Sequence, residues 1–163
     1  MPGSRLEKAL ELLEELNLDA IVLLNLSYPQ VDSNFMYLLQ PESGLFESSY
    51  LVLSKDRRVL YTYRLEEQAA RRMDAVKSGA LEVEVIEKPE QVFKQLRRFR
   101  RVGMNLKFTP ANIALKMRGM GISLVDISED LDEMRMIKDS SEIKAIQGAI
   151  RAAEKALSVV YTY

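Results

Sequence analysis

Acid–base and metal chemistry in proteins draws first on histidine and cysteine, and this chain contains neither. The commonest general base and the commonest transition-metal ligand are therefore missing. No Ser-His-Asp or Cys-His arrangement can form, and a metal site would have to be built from carboxylates alone. Asp19, Asp32, Asp56, Asp126 and Asp130 are scattered along the sequence. A two-metal nuclease site needs several carboxylates converging on its ions, which this scatter does not supply. There is no G-x-x-x-x-G-K-[ST] loop and no G-x-G-x-x-G, so nucleotide binding has no motif to rest on. Gly119-Met120-Gly121 reads as a helix stop.

The remaining charged constellation is basic. Lys94, Arg97, Arg98, Arg100 and Arg101 crowd the end of an expected helix. Such a cluster either binds phosphates or offsets the negative end of the helix dipole and stays solvated. Only Phe93 and Phe99 interleave with it, which is little stacking surface for nucleic acid, and no nucleic-acid partner is expected.

Composition sets the frame for these residues. Of 163 residues, 47% are hydrophobic and 29% charged, the balance of a globular chain with one core. A net charge of −1 generates no whole-molecule attraction to nucleic acid or anionic membrane. The absence of cysteine fits a reducing cytoplasm. The longest apolar run, Ala20 to Leu24, is too short to cross a bilayer. Lack of His, Cys and Trp beside many Glu, Lys and Arg is the composition expected of a thermophile.

The elements that would position these groups alternate. Ser4 and Glu7 make a capping box before Leu6, Leu10, Leu13 and Leu16, and Asn17 ends that helix. Ala20–Leu24 reads as a central buried strand, Asn25 to Ser33 as a loop carrying Pro29, and Asn34 to Leu39 as a helical turn. Ser49–Leu53 and Arg58–Tyr63 form an antiparallel hairpin through Ser54 to Arg57. A helix is expected from Arg64 to Val76, with Leu65, Ala69, Met73 and Val76 on its buried stripe. Leu81 to Ile86 alternates apolar and acidic like an edge strand with one wet face. Pro89 and Pro110 open two further helices, the first ending near Phe99. Arg101 to Met104 and Ile122 to Val125 are short strands, and Leu131 to Met136 is a short helix. This order predicts a three-layer α/β/α sandwich with a mixed sheet.

The last helix opens on Asp139 and Glu142, a second capping pair. Ile143, Ile146, Ile150, Ala153, Leu157 and Val160 then recur at spacings of three and four, a narrow seam of the kind one helix shows another. The seam either packs on the chain's own sheet or docks on another domain or a second copy.

Four segments carry a family likeness. Arg135-Met136-Ile137-Lys138-Asp139-Ser140-Ser141-Glu142-Ile143 forms R-x-I-K-x-x-x-E-I before the last helix. Asn34 to Leu38 forms N-x-x-Y-L. Val59 to Arg64, followed by Gln68 and Ala69, is similar to a strand ending in T-D-x-R-Y, although Tyr63 stands where an acid or small residue is commoner and Leu65 replaces the aromatic. Leu18-Asp19-Ala20 is similar to the G-L-D-A entry to a first strand. Together they resemble the N-terminal domain of the creatinase/prolidase/aminopeptidase P family. That resemblance implies a ribonuclease-H-like sandwich over residues 1–134, with 135–163 forming a hinge and the start of a linker helix toward a pita-bread catalytic domain absent here. In the family that absent domain binds two divalent metal ions through two Asp, one His and two Glu; no cofactor is expected in this chain.

The implied role is non-catalytic: subunit association, and walling off the active site of an Xaa-Pro dipeptidase or aminopeptidase. The alternative is a stand-alone module that binds peptides or proteins without enzymatic activity. Asn34, Tyr37 and Arg64 are the substrate-facing candidates. Arg64 could offer its planar fork to a substrate carboxylate, or cap a local one, and Tyr37 could instead pack in the core. Ile143, Ile146, Ile150 and Leu157 are the interface candidates. The expected partners are the protein's own catalytic domain and a second copy of the chain, in the cytoplasm and without a membrane. The chain alone is expected to be inactive.

Overall fold

The computed structural model describes residues 5–27 and 30–160. The chain divides into two compact units, Met1–Asp132 and Glu133–Tyr163. The first is built on a six-stranded sheet in the order β4-β3-β2-β1-β5-β6. Its strands are β1 (Ala20–Asn25), β2 (Ser49–Ser54), β3 (Arg58–Thr62), β4 (Glu82–Val85), β5 (Arg101–Met104) and β6 (Ser123–Asp126). β2 is antiparallel to both β1 and β3, whereas β3–β4, β1–β5 and β5–β6 are parallel. Every strand except β2 therefore runs the same way, and their carboxyl ends share one edge of the sheet. The sheet is mixed and β1 is central, as expected.

β1 is buried along its whole length, which is why its sequence lacks alternation. Ala20, Val22 and Leu24 enter one core with Val52, Val59 and Tyr61. That core is covered by α5 (Pro89–Leu96) through Val92, Phe93 and Leu96, and by α6 (Ala111–Gly119) through Met117. Ile21 and Leu23 alternate to the opposite face, where α1 (Arg5–Glu15) and α2 (Ser33–Leu39) pack on β1 and β2. The result is three layers, α/β/α. On α1 the buried face is Leu6, Ala9, Leu12 and Leu13, with Leu10 and Leu16 half-buried at its margin. The Ser4 cap lies outside the described residues, as does Pro29.

Several boundaries differ from the sequence expectation, α5 for instance ending at Leu96 instead of near Phe99, and three differences have an evident cause. β1 continues through Asn25, because its amide side chain is bonded inside the protein and behaves as a strand residue (below). The single helix expected from Arg64 to Val76 is two: α3 (Glu67–Arg72) and α4 (Asp74–Lys77), separated by Met73 in extended conformation. Met73 is buried, and anchoring it in the core breaks the helical run. Arg64 and Leu65 then fall in the turn before α3, leaving Leu65 92% exposed instead of on an apolar stripe. Finally, α7 (Ser128–Met136) starts earlier than Leu131, since Asp126 accepts from the amide and hydroxyl of Ser128 and sets the helix entry there.

The second unit contains α8 (Ser140–Val160). Asp139 accepts from the amides of Ser141 and Glu142, and the Glu142 carboxylate accepts from the Asp139 amide at 3.0 Å, the expected capping pair. No helix among the described residues is long and apolar enough to cross a membrane.

Candidate functional site: the polar carboxyl edge of the sheet

Apart from Ser54, the buried polar residues among those described collect at one place. Asn25, Asp32, Asn34, Ser49, Thr62, Asn105 and Ser128 all lie along the edge where the parallel strands end. In open α/β sheets this edge is where crevices form and ligands bind. Most buried polar atoms in proteins are bonded, and the bonds here tie loops to strand ends. Asn25 Nδ2 donates to the carbonyls of Leu45 and Phe46, at 2.6 and 3.2 Å, while its Oδ1 accepts from the Asp32 amide at 2.9 Å. Asp32 caps α2 by accepting from the Asn34 amide at 2.9 Å. Asn105, just past β5, donates Nδ2 to both Asp32 oxygens at 3.3 Å. The Ser49 and Thr62 hydroxyls are 2.7 Å apart across β2 and β3.

The loop before β2 is held from a second side. The Glu66 carboxylate accepts from the amides of Leu45 and Phe46, at 3.2 and 3.0 Å. Phe46 and Ser48 sit at positive φ, 51° and 55°, a conformation costly for residues with a side chain. The clamp between Asn25 and Glu66, with the Phe46 ring fully buried, holds that shape.

The candidates named from sequence are placed as follows. Asn34 is buried in the first turn of α2, and its Nδ2 donates to Asp132 at 3.2 Å. Tyr37 is half-buried one turn on, with the Arg5 guanidinium 4.2 Å from its ring centroid and donating to its carbonyl at 3.0 Å. A cavity of about 450 Å³ opens beside this part of α2, floored by Leu6, Leu38 and Leu39 and rimmed by Arg5, Glu42 and Asp74. Arg64 follows the end of β3 at the same sheet edge, exposed, with no ion pair among the described residues. α2 and Arg64 thus share an edge but belong to strands two places apart, roughly 10 Å at ordinary strand spacing, and nothing bonds one to the other. Ile143, Ile146, Ile150 and Leu157 on α8 are 47%, 47%, 52% and 59% exposed.

Three titratable groups at or near this edge are shifted from their ordinary values. Burial, then Tyr63 and Glu90, push the Tyr50 phenol at the start of β2 up to about 12, so it stays protonated near neutrality. Burial likewise raises Tyr61. For Asp126, burial pushes the carboxyl up, but the Ser128 hydroxyl and amide, the Leu106 amide and Lys107 outweigh it and leave it below the ordinary range. It remains a carboxylate held by donors. Among the described residues no group of three or more His, Cys, Asp and Glu is placed to hold a metal ion.

The sequence pattern places Asn25 at the start of a loop and Asp32 among scattered acids, and gives Asn105 no distinct role. The available signal was a polar residue directly following an apolar strand, in Leu24-Asn25 and Met104-Asn105.

No curated protein sequence matches the chain. Solved structures do. An X-Pro aminopeptidase from Thermotoga maritima superposes with a TM-score of 0.80 at 20% identity, over 97% of this chain and 43% of that one. A prolidase from Pyrococcus horikoshii gives 0.77 at 20% identity, over 96% and 42%. A proline dipeptidase from Streptococcus pneumoniae gives 0.64 at 22% identity, over 83% of this chain and 100% of that one. The chain thus spans less than half the length of the first two, and at these identities the likeness is one of fold. The creatinase/prolidase N-terminal domain model matches residues 5–137, most of the chain and all of its sheet, and the chain therefore belongs to the creatinase/prolidase N-terminal domain family.

Proposed function

We propose that this chain serves as the non-catalytic N-terminal domain of an Xaa-Pro dipeptidase- or aminopeptidase-like hydrolase, walling its active site and contributing to subunit association. The observation that carries this reading is the coverage. Long Xaa-Pro peptidase chains align with nearly all of this one, a span that must include most of α8, while more than half of their own length lies outside the match. The half-exposed seam of α8 supports the same reading, because a heptad-like apolar strip calls for a partner helix. In this reading a separate domain supplies the metal-activated water that cleaves the bond before proline. Asn34, Tyr37 and Arg64 supply walls and a guanidinium fork.

A stand-alone binding module is the second reading. It is favoured by the Streptococcus pneumoniae chain, which is matched over its entire length and so is hardly larger than this domain.

Sedimentation tests the association. The chain is expected to dimerise through α8, and Ile146→Glu with Ile150→Glu to give a folded monomer. A chain that stays monomeric at high concentration, or a double variant that unfolds instead of dissociating, refutes this role for the seam. The same preparation is expected to leave Xaa-Pro dipeptides intact with or without Mn²⁺, Co²⁺ or Zn²⁺. Turnover lost on mutating one of its own carboxylates would overturn the non-catalytic assignment.

A further inference from the structure

The opposite edge of the sheet, where β1 and β5 begin, carries a different kind of surface. Between Lys88 and Arg118 the chain has nine Lys and Arg against one acid, Glu90. With a net charge of −1 overall, the remainder is correspondingly acidic. Charge is thus uneven along the sequence, which a whole-chain count hides, although Lys107 lies beside Glu129 and Asp132 and Lys116 pairs with Glu90. Within the basic segment, Arg98 and Arg100 line a cleft of about 500 Å³ with Lys55, which arrives from the β2–β3 turn. Small-molecule sites occupy roughly 300–1,000 Å³.

The backbone that carries these exposed cations is fixed. Asp19 accepts from the amides of Arg100 and Arg101, at 2.7 and 2.9 Å, and its own amide donates to the Arg101 carbonyl at 2.8 Å. This fixes the Arg100 backbone to the start of β1. The Arg98 guanidinium lies 4.6 Å from the centroid of the Phe99 ring, itself buried. Ser54 closes the Lys55 turn, its amide and hydroxyl donating to the Arg57 carbonyl at 2.9 and 3.0 Å. Among the described residues none of Lys55, Arg98 and Arg100 makes an ion pair within 4.0 Å, although the Arg100 charge also acts on the Asp19 carboxyl. Asp19 is engaged by backbone, and Asp56 on the same turn is the other acid of the cleft.

The dipole of α5 does not account for this arrangement. That helix ends at Leu96, and a dipole acts within the last turn. Lys94 and Arg97 fall in its range, but Arg100 lies beyond it and Lys55 comes from another element. We propose that this cleft binds a compact phosphate-bearing ligand carrying two or more negative charges, recognised by the Arg98 and Arg100 forks and the Lys55 ammonium. Guanidinium forks match phosphate oxygens pairwise. The concave shape favours a compact group over an extended strand, and the one aromatic ring present is buried beneath Arg98, so it offers no base a stacking platform. The site lies at the other end of the sheet from the peptidase-related edge and stands independently of the role proposed there.

Calorimetric titration of the 163-residue chain with tripolyphosphate tests it. One saturable site per chain is expected. Arg98→Gln and Arg100→Gln should each weaken binding about tenfold without moving the thermal midpoint, because both residues are exposed. Asp56→Asn should tighten it, by removing a repelling carboxylate. Vesicles of phosphatidylcholine, with and without a phosphatidylinositol bisphosphate, distinguish the source: binding only to free tripolyphosphate indicates a soluble ligand, and binding also to the phosphorylated lipid indicates a headgroup. Two results overturn the proposal. One is the absence of saturation at millimolar tripolyphosphate. The other is tighter binding of single-stranded RNA, with Lys94→Gln and Lys116→Gln costing as much as the two arginine changes, which would mark a diffuse nucleic-acid face.

Discussion

Replacing Asp32 by alanine isolates what holds the polar carboxyl edge together. The carboxylate is buried, caps α2 through the Asn34 amide, and receives the Asn105 amide side chain on both oxygens. Loss of an N-cap costs about 0.5–2 kcal/mol. Leaving the buried Asn105 Nδ2 without this acceptor adds about 1–3 kcal/mol. A loss of about 2–4 kcal/mol is expected, a large part of the roughly 5–15 kcal/mol typical of a domain. For a chain of this size it corresponds to a fall in melting temperature of about 5–15 °C. Urea unfolding followed by circular dichroism reads it as a lower midpoint with an unchanged slope, since the exposed area on unfolding stays the same. Asp32→Asn keeps a capping oxygen but sets one amide against another at Asn105, so it should lose about half as much. A midpoint for Asp32→Ala within about 0.5 kcal/mol of the parent would refute the reasoning. It would mean that the desolvation penalty of this buried carboxylate cancels its bonds.

Two further outcomes follow from packing and titration. A Cβ at Gly103 on β5 would stand 2.6 Å from Leu18 Cδ1 and 3.1 Å from Ile127 Cδ1. Both neighbours are buried, so Gly103→Ala should destabilise by about 1–3 kcal/mol in the same unfolding assay, and a neutral change would show that Leu18 can swing aside. Hydrogen bonds from the Arg101 and Arg100 amides hold the Asp19 carboxyl below the ordinary carboxylate range. A carboxyl depressed in the folded state adds stability above its unfolded pKa of about 3.9 and loses it as pH falls through the folded value. Asp126, also depressed, has the same sign. Urea midpoints measured at descending pH should therefore hold steady near neutrality and drop below about pH 4, less steeply in Asp19→Asn. Stability that rises on acidification would contradict this.

Much of this protein was legible in its sequence because the relevant physics is local. A five-residue apolar run with no alternation, too short for a helix, suits a strand covered on both faces, and Ala20–Leu24 is that strand. Capping pairs, proline openings and the seam of α8 are likewise patterns of neighbours. The loss of histidine chemistry needs only a count. Tertiary structure decided the rest, because it depends on which distant residues meet. Met73 enters the core and breaks a helix whose periodicity ran straight through it. Asn25, Asp32 and Asn105 are up to 80 positions apart in a sequence where each looks like an ordinary loop residue, and only the parallel pairing of β1 with β5 makes them one hydrogen-bonded edge. Lys55 joins Arg98 and Arg100 in one cleft for the same reason: the hairpin turn and the end of α5 are brought together by the strand order, which no local pattern of charges encodes.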